Sequence, residues 1–197
     1  MRAAILLCCL VLAAPASALR PRTIACLGDS NTAKGWPTVD TVRWCEYVAE
    51  LCPTVRLRSH RARPATFYEY GVGGAVVAPG AYIDFELAAA RAVRADVVIL
   101  AFGTNDAGLL GSTPEEYAMD VRTACRRSHR RCYVLSMPPH PWLPNVDEYN
   151  AAVAARMVGR AIIDRTTGIT FVDDDVHLDD DSQRLLAYRV AVALGCF

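Results

Sequence analysis

Four short segments of this chain carry side chains suited to attack on an acyl carbon: Gly28-Asp29-Ser30-Asn31, Gly71-Val72-Gly73-Gly74, Gly103-Thr104-Asn105-Asp106 and Asp173-Asp174-Asp175-Val176-His177. Together they supply a hydroxyl, backbone amides with little side-chain cover, a carboxamide, a carboxylate and an imidazole. That is the inventory of an acyl-transfer site. A serine hydroxyl becomes a useful nucleophile only when a neighbouring base takes its proton. Ser30 falls where a tight turn between strand and helix would project its oxygen and leave its own amide free to donate. His177 is the candidate base, because histidine alone titrates near neutral pH. Asp174 lies three residues earlier. If the loop turns like the start of a helix, the two side chains share a face and the carboxylate holds the ring in the required tautomer. Asp175 is the reserve for that role. The amides of Ser30 and Gly74 and the side-chain NH₂ of Asn105 can converge on the negative oxygen formed by attack, each such donor lowering the barrier by about 3 kcal/mol.

These residues need elements that bring them to one place. Short apolar runs predict strands over 23–27, 67–70, 96–102, 133–137 and 169–172. Helical spacing and capping signals predict helices over 39–51, 85–93, 113–127, 147–162 and 182–194. The 96–102 run is apolar on both faces, as a covered central parallel strand should be. Five strands alternating with helices imply an α/β fold, a five-stranded parallel sheet with helices on both faces. In such sheets ligands bind beyond the carboxyl ends of the strands, and each of the four segments follows a predicted strand.

The bulk composition excludes other classes. The 21 basic and 21 acidic residues cancel, so no net field draws the chain to nucleic acid or to an anionic membrane. Residues 1–18 read as a signal peptide: Arg2, an apolar run, then Ala16-Ser17-Ala18. The run is too short for a permanent anchor, which leaves residues 19–197 as one secreted or periplasmic domain, expected to be a monomer with no membrane anchor. Beyond that segment remain Cys26, Cys45, Cys52, Cys125, Cys132 and Cys196, which allow 15 complete pairings. Cys45 and Cys52, roughly 10 Å apart on one helix, are too distant to bridge. Cys125–Cys132 is feasible, Cys196 can reach the first helix, and Cys26 reads as core. His60 and His129 read as surface residues. The groups Arg56-Arg58-Arg61-Arg63 and Arg126-Arg127-Arg130-Arg131 read as solvated faces. His140 follows a strand and either borders the acyl pocket or has no part in it, and Trp36 lines the pocket or sits in the core.

Gly-Asp-Ser after the first strand, a glycine loop after the second, Gly-Thr-Asn-Asp after the third and Asp-x-x-His near the end resemble the blocks of the SGNH hydrolases, also called GDSL lipases or acylhydrolases. The resemblance covers nearly all of residues 19–197, in the family's order. It implies a three-layer, flavodoxin-like α/β/α fold, Ser30 as nucleophile, Ser30, Gly74 and Asn105 as the oxyanion hole, and Asp174 and His177 completing a triad. One departure is Glu69, where the family often has asparagine two residues before the first loop glycine. The implied activity is hydrolysis of carboxylic esters through an acyl-enzyme, on a small-molecule or carbohydrate ester, with no cofactor and no metal. A carbohydrate O-acetylesterase or an O-acyltransferase would use the same residues. A flavin- or phosphate-binding module is disfavoured because Asp29 would repel the anion. An α/β-hydrolase is disfavoured because no Gly-x-Ser-x-Gly elbow occurs.

Overall fold

The computed structural model describes residues 21–34, 42–57 and 62–197. The leader segment, Trp36 and His60 lie outside them. In chain order the elements are β1 (Arg22–Gly28), α1 (Trp44–Leu51), β2 (Thr54–Val55), β3 (Arg63–Glu69), α2 (Ala81–Ala92), β4 (Val97–Ala101), α3 (Thr104–Gly108), α4 (Pro114–Arg127), β5 (Arg131–Leu135), α5 (Val146–Arg156), β6 (Ala161–Ile163) and α6 (Asp180–Leu194). The sheet runs β2-β3-β1-β4-β5-β6. β3, β1, β4, β5 and β6 are mutually parallel, and β2 joins the edge antiparallel to β3.

Alternation along the strands sorts their side chains onto the two faces. In β1, Ile24 and Cys26 pack on one side with Trp44, Val48, Leu186 and Val190 of α1 and α6. Ala25 and Leu27 pack on the other with Leu87, Val121 and Val153 of α2, α4 and α5. Every residue of β4 is buried, as a strand covered on both faces requires. The result is the expected three-layer α/β/α arrangement.

Two features depart from the sequence reading. The expected helix over 147–162 stops at Arg156, and Ala161–Ile163 adds to the sheet as β6 beside β5. Three residues at an edge leave almost no periodic signal. The run at 169–172 is not a sheet strand at all. It contributes one antiparallel bridge, Phe171 with Leu178. The sheet therefore has six strands, with the two-residue β2 as the extra edge.

Disulfides join Cys26 to Cys45, Cys52 to Cys196 and Cys125 to Cys132, with Cα–Cα distances of 6.3, 5.2 and 5.5 Å. Cys26 is buried as expected, but as half of a bridge from β1 to α1 and not as a free core thiol. Cys196 reaches the residue that caps α1. Among the described residues, no helix is long and apolar enough to cross a membrane, and no group of ligating side chains is arranged to hold a metal ion. His129 is exposed.

Candidate active site

The carboxyl ends of β1, β3 and β4 release the first three segments at one edge of the sheet. The 28–33 turn closes through Asp29: its carbonyl accepts from the Thr32 and Ala33 amides, and its Oδ1 accepts from the Asn31 amide at 2.9 Å. Ser30 sits at the bend, 7% exposed. Its amide donates to no described residue. The glycine loop comes directly against this turn, with Val72 N–H donating to the Gly28 carbonyl at 2.9 Å. A β-carbon on Gly71 would lie 2.4 Å from the Ala33 nitrogen, so only glycine allows the two loops to meet. Gly74 has φ +76°. The turn it forms, Ala75 N–H to Val72 O at 3.1 Å, leaves the Gly74 amide without a described acceptor.

The third segment fastens that loop. Asn105, in the first turn of α3, donates one side-chain N–H to the Ala75 carbonyl at 3.0 Å. This fixes the amide plane and leaves a second N–H on the same nitrogen. Asp106 accepts from the amides of Val77 at 2.8 Å and Ala78 at 3.3 Å. Burial pushes its carboxyl up to about 7 against those two donors. Sequence reading left Asp106 without a role; here it is the peg on which the glycine loop hangs.

His177 arrives on the tight loop closed by the Phe171–Leu178 bridge and by Val172 N–H to His177 O at 2.9 Å. Its Nε2 lies 2.9 Å from Ser30 Oγ. Its Nδ1 lies 2.5 Å from Asp174 Oδ2. Asp174 Oδ1 meanwhile accepts from the amides of Val176 and His177 at 2.9 and 2.8 Å. The i, i+3 spacing thus works through a side-chain-capped turn, and Asp174, not Asp175, is the residue facing the ring. Partial burial raises the Asp174 carboxyl, but the N–H bonds from His177 and Val176 outweigh it and hold the group below its ordinary value. Ser30, His177 and Asp174 therefore form one hydrogen-bonded chain, and the amides of Ser30 and Gly74 donate to no described residue. A hydroxyl, an imidazole and a carboxylate so joined can deliver a nucleophile and a proton to a carbonyl.

Asn31 escaped the sequence reading. It grips both sides of His177, with Nδ2 donating to the Val176 carbonyl at 3.2 Å and Oδ1 accepting from the Leu178 amide at 2.9 Å. Gln183 of α6 donates in turn to the Asn31 carbonyl at 3.4 Å and accepts from the Trp44 amide at 3.0 Å. Nothing in the sequence distinguishes Asn31 from an ordinary turn residue, since its partners lie 145 and 147 positions away. Asn31→Ala leaves a buried amide and a carbonyl unsatisfied, a loss of about 1–3 kcal/mol. It should also lower kcat, roughly 10–100-fold if Asn31 orients His177 as second-sphere partners orient metal-bound histidines. Thermal unfolding and steady-state ester hydrolysis measure both.

Beneath the site lies a buried layer of charge. Burial pushes the Asp29 carboxyl up, with the fully buried Arg165 guanidinium pulling it back. Arg165 donates to the carbonyls of Ser136 at 2.7 Å and Phe102 at 3.1 Å. Glu86 accepts from the Gly28 amide at 2.9 Å, and burial, opposed by that bond, lifts it to about 9. Glu69 is pushed by burial to about 7. The Glu86 shift fixes a sign. A carboxyl raised in the fold stabilises it fully below the ordinary 4.5, and the contribution fades as pH climbs toward about 9. Glu86→Gln keeps an acceptor for Gly28 and cannot ionise. Its melting temperature should therefore fall less between pH 6 and 9 than that of the parent; parallel declines would mean that the fold does not raise the Glu86 carboxyl above its unfolded value.

Comparison with known proteins bears on the family and the fold. The family described as GDSL-like lipase/acylhydrolase matches residues 26–191. No curated protein sequence matches the chain. Among solved structures, a lipolytic protein of the G-D-S-L family from Desulfitobacterium hafniense is similar with a TM-score of 0.69 at 13% identity, over 87% of this chain and 99% of that one. An aryl esterase from M. smegmatis gives 0.67 at 19% identity, over 87% and 97%. A carbohydrate esterase family 3 protein from Talaromyces cellulolyticus gives 0.65 at 18% identity, over 88% and 96%. At these identities the likeness is one of fold; the sequence match over 26–191 is what shows that the chain belongs to the GDSL-like lipase/acylhydrolase family, serine hydrolases acting on ester bonds.

Proposed function

We propose that the protein is an exported esterase in which Ser30, His177 and Asp174 act as a catalytic triad on carboxylic esters. The observation that carries the reading is the unbroken hydrogen-bond chain from Ser30 Oγ through the imidazole to Asp174. His177 Nε2 accepts the Ser30 proton as the oxygen attacks the ester carbonyl. Asp174 stabilises the resulting imidazolium without taking its proton. The amides of Ser30 and Gly74 and the second Asn105 N–H receive the developing oxyanion. The imidazolium then protonates the departing alcohol. In the second half, water attacks the acyl-enzyme with His177 as base and releases the acid. Export is supported by the leader at 1–18 and by the three bridges, which persist in oxidising compartments.

A fluorophosphonate should label the protein at Ser30, located by peptide mass spectrometry, and short p-nitrophenyl esters should be hydrolysed. A folded protein that stays unlabelled and inert overturns the proposal. A carbohydrate O-acetylester is the second substrate reading, favoured by the likeness to a carbohydrate esterase and by the 43% exposed Trp142 ring beside Asp175. Acetate release from acetylated polysaccharide separates it from action on aryl or alkyl esters alone.

A further inference from the structure

His140 follows β5 between two prolines and is only 4% exposed. Both ring nitrogens are engaged. Nε2 lies 2.7 Å from Thr104 Oγ1, and Nδ1 lies 3.2 Å from the Asp175 carbonyl oxygen. The ring packs against Phe171 on one side, centroids 4.7 Å apart, and Trp142 on another at 5.3 Å. Trp142 Nε1 approaches the same Asp175 carbonyl at 3.4 Å. The partners identify the tautomer: a carbonyl oxygen can only accept, so Nδ1 carries the hydrogen and the neutral Nε2 accepts from the Thr104 hydroxyl. Burial pushes the imidazole down to about 4, so the ring is neutral at physiological pH.

The two anchored residues are neighbours of reacting groups. Thr104 precedes Asn105. Asp175 follows Asp174 and stands two residues before His177, with φ +57°, a conformation that a non-glycine residue adopts only when its surroundings hold it there. No sheet strand carries the His177 loop, since Phe171 and Leu178 make only one bridge. Asn31 ties the loop to the turn after β1, and His140 adds a tie to the turn after β4.

We infer that His140 is a positioning residue, a neutral imidazole latch that ties the His177 loop to the Thr104–Asn105 turn and so fixes the spacing between base and oxyanion donor. The latch orients and takes no proton from substrate. The inference rests on the proposed esterase reading for its kinetic consequence, but its structural claim can be tested without turnover.

Three variants separate its contacts. His140→Phe keeps the ring stack and loses both hydrogen bonds. His140→Asn places an N–H donor where Nδ1 stood and restores the Asp175 contact. Thr104→Val removes only the other end. His140→Phe should lower kcat for p-nitrophenyl acetate roughly 10–100-fold, the usual effect of removing a group that orients a reacting histidine, with KM within about twofold, as for an interaction expressed in the transition state. His140→Asn, which restores one of the two ends, should regain part of that kcat, and Thr104→Val should lose a comparable part. Independently of activity, the His177 ring ¹⁵N resonances should shift in His140→Phe and move back toward the parent's in His140→Asn. Unchanged kcat together with superimposable His177 signals in folded His140→Phe would overturn the latch. If the parent cleaves no ester, the esterase proposal fails while the ring resonances still decide the latch.

Discussion

Ser30→Ala is expected to lower ester hydrolysis by at least roughly 10⁴-fold and to abolish fluorophosphonate labelling. Removing the nucleophile of a triad costs on the order of 10⁶ in kcat, with a residual 10³–10⁴-fold advantage over water from the oxyanion hole and binding. Here the residual should come from the Gly74 amide and the Asn105 side chain, which Asn105 bonds to Ala75 keep in place without Ser30 Oγ. The Ser30 hydroxyl bonds to His177, and losing that one contact should leave the melting temperature within a few degrees of the parent. His177→Ala should be nearly as inactive, and the double variant little worse than either, because the two act as one unit. Additive losses would mean that the 2.9 Å contact has no part in the reaction. A fully active Ser30→Ala would remove the proposed mechanism.

The largest stability effect should come from opening the bridge between Cys52 and Cys196. The bond closes a loop with a sequence separation of 144. The chain-entropy estimate for a loop of that length is about 5 kcal/mol, against about 3 kcal/mol for a loop of roughly 15 residues; the separation of 7 in Cys125–Cys132 should contribute less still. Cys52→Ala/Cys196→Ala should therefore lower the melting temperature by roughly 10–20 °C, at about 2–4 °C per kcal/mol for a protein of this size. Cys125→Ala/Cys132→Ala should cause a smaller drop. The ranking is the test, read by calorimetry of the two paired variants. Equal drops would show that native packing around each bridge, and not the freedom of the unfolded chain, sets its value. Ester hydrolysis at 25 °C should survive in both, since neither bridge includes Ser30, Asn105 or His177.

Much of this was readable before any coordinates, and the reasons are physical. β4 is five buried apolar residues in a row, and such a run admits few other readings. The α4 start, Thr113-Pro114-x-Glu116, states its own cap: Thr113 and Glu116 do bond reciprocally. Ser30, Asn105 and His177 announce themselves because few side chains can do their chemistry, and Asp174 because its spacing from His177 is local. What stayed hidden is long-range or short. β6 is three residues at an edge, and its pairing with β5 is decided by the neighbour and not by its own pattern. The 169–172 run has strand-like residues, yet it makes only the Phe171–Leu178 bridge and closes the His177 loop instead of joining the sheet. Asn31, Asp106 and His140 act through partners distant in sequence, and polar residues in loops advertise nothing about such partners. Cys26 looked like core because burial and bridging share one signature in a β-strand.

The ring closed by Cys52 and Cys196 also orders events during synthesis. Cys52 must wait for 144 further residues before its partner exists. At about 5–20 residues per second, that is an interval on the order of ten seconds in which α1 is held by Cys26–Cys45 alone. During that interval the Cys52 thiol is available to whichever cysteine appears next, and the first to emerge are Cys125 and Cys132. Their proximity, only 7 positions apart, lets them consume each other quickly and leaves Cys52 for the last arrival.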